Sequence, residues 1–283
     1  MKVPAGLQPL LDDGIIDEVV RQLKSGKEAS VFVVRSGAEV RCAKVYKDMA
    51  QRSFKQRTQY QEGRKVRGSR QTRAMEKSTN YGRKEQEAAW KNAEVDALYQ
   101  LVAAGVCVPK PFGYFEGVLI MELITDGQGH SAPRLGEVEF SADEALAIHR
   151  FLITQVVRML CVGLIHGDLS EFNVLVGEQG PVIIDLPQAV NAAGNNNALA
   201  MLQRDVKNLA DTLGRFAPEL LATDYAREMW ALFERGELTA DTQLTGVFVD
   251  DADVADLGVV MNAIEEAREE ALRRQLGREA AQT

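Results

Sequence analysis

Residues 164–175, Leu-Ile-His-Gly-Asp-Leu-Ser-Glu-Phe-Asn-Val-Leu, constrain this chain more than any other stretch. An apolar pair enters, a polar loop follows, and an apolar pair leaves. Inside the loop Asp168 and Asn173 stand five apart, and Pro181-Val-Ile-Ile-Asp185 then brings a second carboxylate to the end of an apolar run. Phosphoryl transfer asks little covalent chemistry of a protein. It needs a residue that handles the attacking hydroxyl, oxygen ligands for Mg²⁺, and cations around the phosphates. Asp168, Asn173 and Asp185 are the residue types for that task.

An Asp and an Asn in a loop after a helix are more often turn residues than catalysts. The chemical reading gains weight because His166-x-Asp168-x-x-x-x-Asn173 matches the kinase catalytic-loop pattern and its required partners lie upstream in order. Ser25-Gly-Lys-Glu-Ala-Ser-Val31 is a glycine-bearing turn running into a β-branched strand. Against the kinase nucleotide-loop pattern only Gly26 and Val31 fit, with Lys24 and Ala29 at the other glycine positions, so a plain hairpin turn serves equally well. The turn still offers Ser25, Lys27, Ser30 and backbone N–H groups to a phosphate. Lys44, between Ala43 and Val45 in a second strand (40–46), matches the phosphate-contacting lysine; the bland alternative is an edge-strand lysine in solvent. Such a lysine requires a glutamate on a following helix. The helical pattern over 85–104 supplies Glu94, with Glu85 and Glu87 as alternatives.

Further elements frame these residues. Apolar spacing from Leu7 to Leu23 predicts a helix over 7–24, interrupted by Gly14. Residues 112–124 read as a hairpin turning at Glu116-Gly117, after which backbone groups at Met121, Glu122 and Ile124 stand where a kinase hinge would meet adenine; the bland alternative is a buried strand ending in a linker. A capping box, Ser141-x-x-Glu144, opens a long helix that Gly163 stops. His149 lies on it as a packing residue, and His130 in the preceding polar linker shows no ligand spacing. A hairpin spans 174–184, and helical patterns follow at 198–216, 218–235 and about 254–276.

The 283 residues suffice for one two-lobed unit. Cys42, Cys107 and Cys161 are far apart and show neither metal nor disulfide spacing, which points to a reducing compartment. No signal pattern and no membrane-length apolar run is visible, so a cytoplasmic protein is expected. The net charge of −8 is uneven: 47–84 holds twelve Lys/Arg against three Asp/Glu, leaving 21 basic and 38 acidic residues elsewhere. The basic segment reads as disordered or partly helical, as a phosphate-binding surface for RNA, or as a loop that is itself phosphorylated.

Taken together, the set resembles the RIO family of atypical protein kinases over roughly residues 7–235. The resemblance is carried by Ser25–Val31, Ala43-Lys-Val-Tyr-Lys47, Trp90 with Glu94, Met121-Glu-Leu-Ile124, Ala132-Pro-Arg-Leu135, His166–Asn173, Ile184-Asp-Leu-Pro-Gln-Ala189 and Arg204-Asp205. It implies an α+β, bilobal protein-kinase-like fold, with a small β-rich N-lobe (1–123) and a reduced, mainly helical C-lobe (124–283). It implies ATP and Mg²⁺ (or Mn²⁺), Asp168 as base, Asn173 and Asp185 as metal ligands, and Lys44 on the phosphates. It further implies that Asp185 accepts phosphate as an aspartyl-phosphate and that 47–84 is a place of autophosphorylation. Gly167 stands where ordinary kinases carry the Arg that pairs with a phosphorylated activation loop. Asp185 is followed by Leu-Pro in place of Phe-Gly, and the usual peptide platform is not expected. Residues 1–24 are too short for the winged-helix domain of one branch. The expected activity is a serine/threonine kinase acting on an unknown protein substrate. Two alternatives stand beside it: an ATP-gated factor that binds ribosomal particles or RNA through 47–84, and a small-molecule phosphotransferase of the aminoglycoside-kinase type.

Overall fold

A computed structural model describes residues 3–47 and 93–249. Most of the basic segment, the Glu85 and Glu87 positions and the expected helix near 254–276 lie outside the described residues. Five strands form one antiparallel sheet in the order β1-β2-β3-β5-β4: β1 Glu18–Ser25, β2 Ala29–Ser36, β3 Glu39–Tyr46, β4 Pro111–Phe115 and β5 Val118–Glu122. Side-chain alternation gives this sheet two working faces. Phe32, Val34, Ala43, Val118 and Ile120 point away from the C-lobe and close a core over Leu7, Leu10 and Ile16. The opposite face carries Lys44, Leu119 and Met121 toward the cleft.

The single helix expected over 7–24 does not form. Helix α1 covers only Gln8–Asp12, and Gly14 takes a left-handed φ of 65°. The chain then turns and becomes β1, paired to β2 from Glu18↔Arg35 to Ser25↔Ser30. The apolar residues from Ile15 to Leu23 suit either period over so short a span. Ladder hydrogen bonds to β2 decide for the strand.

Helical residues 93–103 form α2, which continues with the lower core through Val95, Leu98 and Leu101. In the C-lobe, α3 (Ala142–Cys161) begins at Ser141, whose Oγ accepts from the Glu144 N–H while Glu144 accepts the Ser141 N–H at 2.8 Å. Gly163, at φ 76°, ends this stretch. Strand β6 (Leu164–Ile165) pairs with β9 (Val190–Asn191), and β7 (Val174–Gly177) with β8 (Gly180–Ile183). These pairs pin both ends of loop 166–173 and the segment that carries Asp185. Helix α4 (Ala198–Leu213) lies beneath the loop. The pattern at 218–235 divides into a 3₁₀ turn, Pro218–Ala222, and α5, Tyr225–Glu234, with Asp224 capping α5 by accepting the Arg227 N–H.

His149 on α3 is 1% exposed, packs on the Tyr225 ring, and leaves Nε2 without a partner among the described residues. Burial pushes its pKa down to about 4. A histidine neutral in the fold but readily protonated when unfolded favours unfolding as pH falls below its unfolded value of about 6.5. The expected loss is about 3 kcal/mol by pH 4. Chemical denaturation from pH 7 to 4 should show a smaller loss in His149→Leu than in wild type; parallel curves would exclude His149 as the source.

Candidate active site

The lower face of the sheet and the C-lobe loops meet at Lys44. Its ammonium donates to Glu94 Oε1 at 2.6 Å and to Asp185 Oδ1 at 2.7 Å. Glu94 is 5% exposed, and its second oxygen accepts from the Tyr46 hydroxyl at 2.7 Å. The Lys44–Glu94 ion pair therefore joins β3 to α2, with Tyr46, two residues along the same face, completing it. Burial opposes the Lys44 charge, but Glu94 and Asp185 more than offset it and hold the ammonium above the usual lysine range. Burial and Glu94 push the Tyr46 phenol well above its ordinary value, so it stays a neutral donor. Burial also works against the Asp185 charge, but Lys44 outweighs it and keeps the carboxyl below the usual range. Asp185 holds a left-handed φ of 68°, uncommon outside glycine and a mark of a position fixed by its surroundings.

Loop 166–173 is held from three sides. Asp205, on α4, accepts the Gly167 N–H at 2.7 Å and the Leu169 N–H at 2.9 Å, so the two peptides flanking Asp168 hang from one buried carboxylate. Burial pushes the Asp205 carboxyl up to about 6, opposed by His166 and by the two N–H donors. Arg204 donates to the Gly167 carbonyl and Asn208 to the Leu169 carbonyl. His166 accepts the Asp168 N–H at Nδ1, which places the ring proton on Nε2, 3.0 Å from the Ile184 carbonyl. The residue before Asp185 is thereby tied to the residue two before Asp168. Asp168 itself faces the cleft, where its Oδ2 accepts from Gln188 Nε2 at 3.1 Å; burial raises its pKa.

Asn173 donates Nδ2 to the Asp168 carbonyl at 2.8 Å, which turns its Oδ1 the other way. Asp185 spends Oδ1 on Lys44. One amide oxygen of Asn173 and one carboxylate oxygen of Asp185 are left uncommitted by these bonds. That hard-oxygen pair suits Mg²⁺, which takes few protein ligands and keeps phosphate oxygens and water. Among the described residues no cluster of three or more His, Cys, Asp or Glu could hold a metal ion.

The other expected residues fall around this centre. Ser25 and Ser30 face each other across the turn at 3.3 Å, and Lys47 donates to Ser25 Oγ and the Gly26 carbonyl. The Gly26 N–H is committed to the Ala29 carbonyl, Lys27 is exposed, and Val31 is half-buried. Met121 lines a small recess with Lys44, Leu98, Leu119 and Leu186. The Glu122 N–H goes to the Lys110 carbonyl and the Ile124 carbonyl to the Ala132 N–H, each at 2.9 Å. The Ile124 N–H has no backbone acceptor among the described residues. Asp205, His166 and Gln188 lay within quoted motifs, but nothing local in the sequence revealed what they hold.

Comparison with known proteins gives a consistent result. The RIO domain model matches residues 30–226. RIO-type serine/threonine-protein kinase Rio1 of Haloferax volcanii is 32% identical, over 75% of this chain and 68% of its own length. Human serine/threonine-protein kinase RIO1 is 30% identical over 71% of this chain, which spans only 34% of that protein. A crystal structure of the Rio2 kinase–ADP/Mg²⁺–phosphoaspartate complex from Chaetomium thermophilum superposes over 93% of this chain and 75% of that one, with a TM-score of 0.55 at 19% identity. At that identity the likeness speaks for the fold, which is the expected kinase-like one.

Proposed function

The chain belongs to the RIO family, and on that footing we propose that it is a Mg²⁺-ATP-dependent phosphotransferase of the serine/threonine-kinase type. The observation that carries this reading is Lys44, bonded to both Glu94 and Asp185 above a loop that presents Asp168 and Asn173. The adenine end lies against Met121, Glu122 and Ile124. Ser25, Gly26, Lys27, Ser30 and Val31 cover the phosphates from above, and Lys44 contacts them from the sheet. Asn173 and Asp185 would hold a Mg²⁺ ion, whose chemistry there would be to neutralise charge on the phosphates. Asp168 orients the attacking hydroxyl and takes its proton, while Gln188 holds the carboxylate in place. Hydrogen bonds to Asp205 keep the Asp168 backbone fixed while this occurs.

Asp185 is also a candidate acceptor. Its strained backbone directs it into the cleft beside Lys44, and the Chaetomium Rio2 kinase was solved as a phosphoaspartate complex. Transfer to Asp185 followed by hydrolysis makes the protein an ATPase switch. The test is turnover of γ-labelled ATP with Mg²⁺ in wild type, Asp168→Ala and Asp185→Ala, following label on protein and in free phosphate. Label on protein hydroxyls, absent in both variants, supports the kinase. Base-labile label on Asp185 with released phosphate and no other acceptor supports the switch. No ATP binding, or turnover indifferent to both substitutions, overturns both readings.

For the partner, a protein substrate is the first proposal. Association with ribosomal particles is the second, supported by the positive balance of 47–84 in an otherwise acidic chain. Salt-sensitive co-sedimentation with such particles supports it, and none at low salt removes it. Among the described residues no helix is long and apolar enough to cross a membrane.

A further inference from the structure

Lys24 has no role in the arrangement above, yet the strand register puts it there. It pairs with Val31, Val31 with Lys44, and Lys44 with Leu119. Directly opposed residues in antiparallel strands share a face. Lys24 therefore stands on the cleft face of the sheet, in one row with Lys44. Two strand spacings separate their backbones, about 10 Å. The strand order adds a direction. The base-binding stretch follows β5, Lys44 lies on β3, and β1 is the sheet's far edge. A nucleotide anchored at 121–124 and running beneath Lys44 has its last phosphate nearest β1.

Contacts across the cleft support that placement. β1 is held against the linker by Arg21, which donates to Ser131 Oγ at 2.8 Å, three residues before Arg134. Arg134 in turn bridges to Leu175 on the hairpin that precedes Asp185. Partial burial lowers the Lys24 pKa, as do the charges of Arg134 and Lys44, while Asp185 and Glu137 oppose them, so its ammonium is within the field of the metal-binding carboxylate. Among the described residues Lys24 makes no ion pair. A cation among cations, facing one carboxylate that is already paired, is poised for an added anion.

We infer that Lys24 contacts the terminal phosphate of a bound nucleoside triphosphate, closing the phosphate site from the side opposite Lys44. The inference rests on the proposed nucleotide site and gives it discrimination between triphosphate and diphosphate. Lys24 is then a specificity residue for the loaded state: its contact exists with ATP and is lost with ADP.

The experiment is calorimetric titration of the full chain with Mg²⁺ and either ADP or the β,γ-imido analogue of ATP, in wild type, Lys24→Met and Lys24→Arg. Lys24→Met should weaken the triphosphate analogue about tenfold and ADP less than about twofold, the size of one charge-assisted contact. Lys24→Arg should restore most of the difference, and all three proteins should melt at the same temperature. Equal weakening of both nucleotides would reduce Lys24 to a general charge effect and overturn the inference. So would unchanged affinity for both. If wild type binds neither nucleotide, the proposed function fails first.

Discussion

Asp168→Asn is expected to lower kcat by about 10³ while leaving the KM for ATP within about threefold, as loss of a positioned base does. The substitution keeps size and shape. Asn can accept from Gln188 Nε2 through its amide oxygen, as Asp168 does through Oδ2 at 3.1 Å. The backbone bonds to Asp205 do not involve the side chain, so the loop stays in place. What disappears is the capacity to take a proton. The pH dependence carries the same signature. Burial raises the Asp168 pKa, and a base must be deprotonated to act. Activity in wild type should therefore fall, as pH drops, through a value above the ordinary carboxylate range, and the residual activity of Asp168→Asn should lack that limb. Steady-state ATP turnover across pH, with melting temperature as control, checks both. A loss under about tenfold, or an unchanged acid limb, would remove Asp168 from the role of base.

That prediction rests on a stretch that was legible before any coordinates. His166, Asp168 and Asn173 lie within eight residues between two short strands, and local spacing nearly determines their geometry. Asp185 was legible for the same reason, since a tight hairpin links it back to Asn173. Lys44 could be named, but its partner could be chosen only by chemistry. The helical pattern over 85–104 offers Glu85, Glu87 and Glu94, and packing of α2 brings Glu94 to 2.6 Å. The residues whose roles escaped notice act over long sequence separations. Asp205 holds peptides 36 and 38 positions upstream, and nothing in the sequence of α4 points to them. Lys24 enters the cleft only through strand register. Register was invisible because the same apolar residues permitted a helix over 7–24, and pairing with β2, not local propensity, chose the strand.

The second large effect belongs to the ion pair at the centre of the site. Lys44→Met should reduce kcat/KM for ATP by at least about 10², because a charged contact to the phosphates is lost. It should also destabilise the fold by roughly 3–5 kcal/mol, because one partner of a buried pair is removed and the other stays. The two losses have different origins. Asp185 has a side chain 47% exposed and can turn to water when Lys44 is gone. Glu94 cannot: it is 5% exposed and would keep only the Tyr46 hydroxyl. The stability loss should therefore be assigned to Glu94 and be reversible by neutralising it. The double variant Lys44→Met with Glu94→Gln should regain most of the lost stability, with Gln still accepting from Tyr46, while remaining as inactive as Lys44→Met. Urea denaturation and ATP turnover on the wild type, the two single variants and the double variant close the cycle. Recovery of stability without activity would separate what the pair does for the fold from what Lys44 does for the phosphates. If the double variant is no more stable than Lys44→Met, the buried Glu94 charge is not the cause. If it regains turnover, Lys44 is not the phosphate contact.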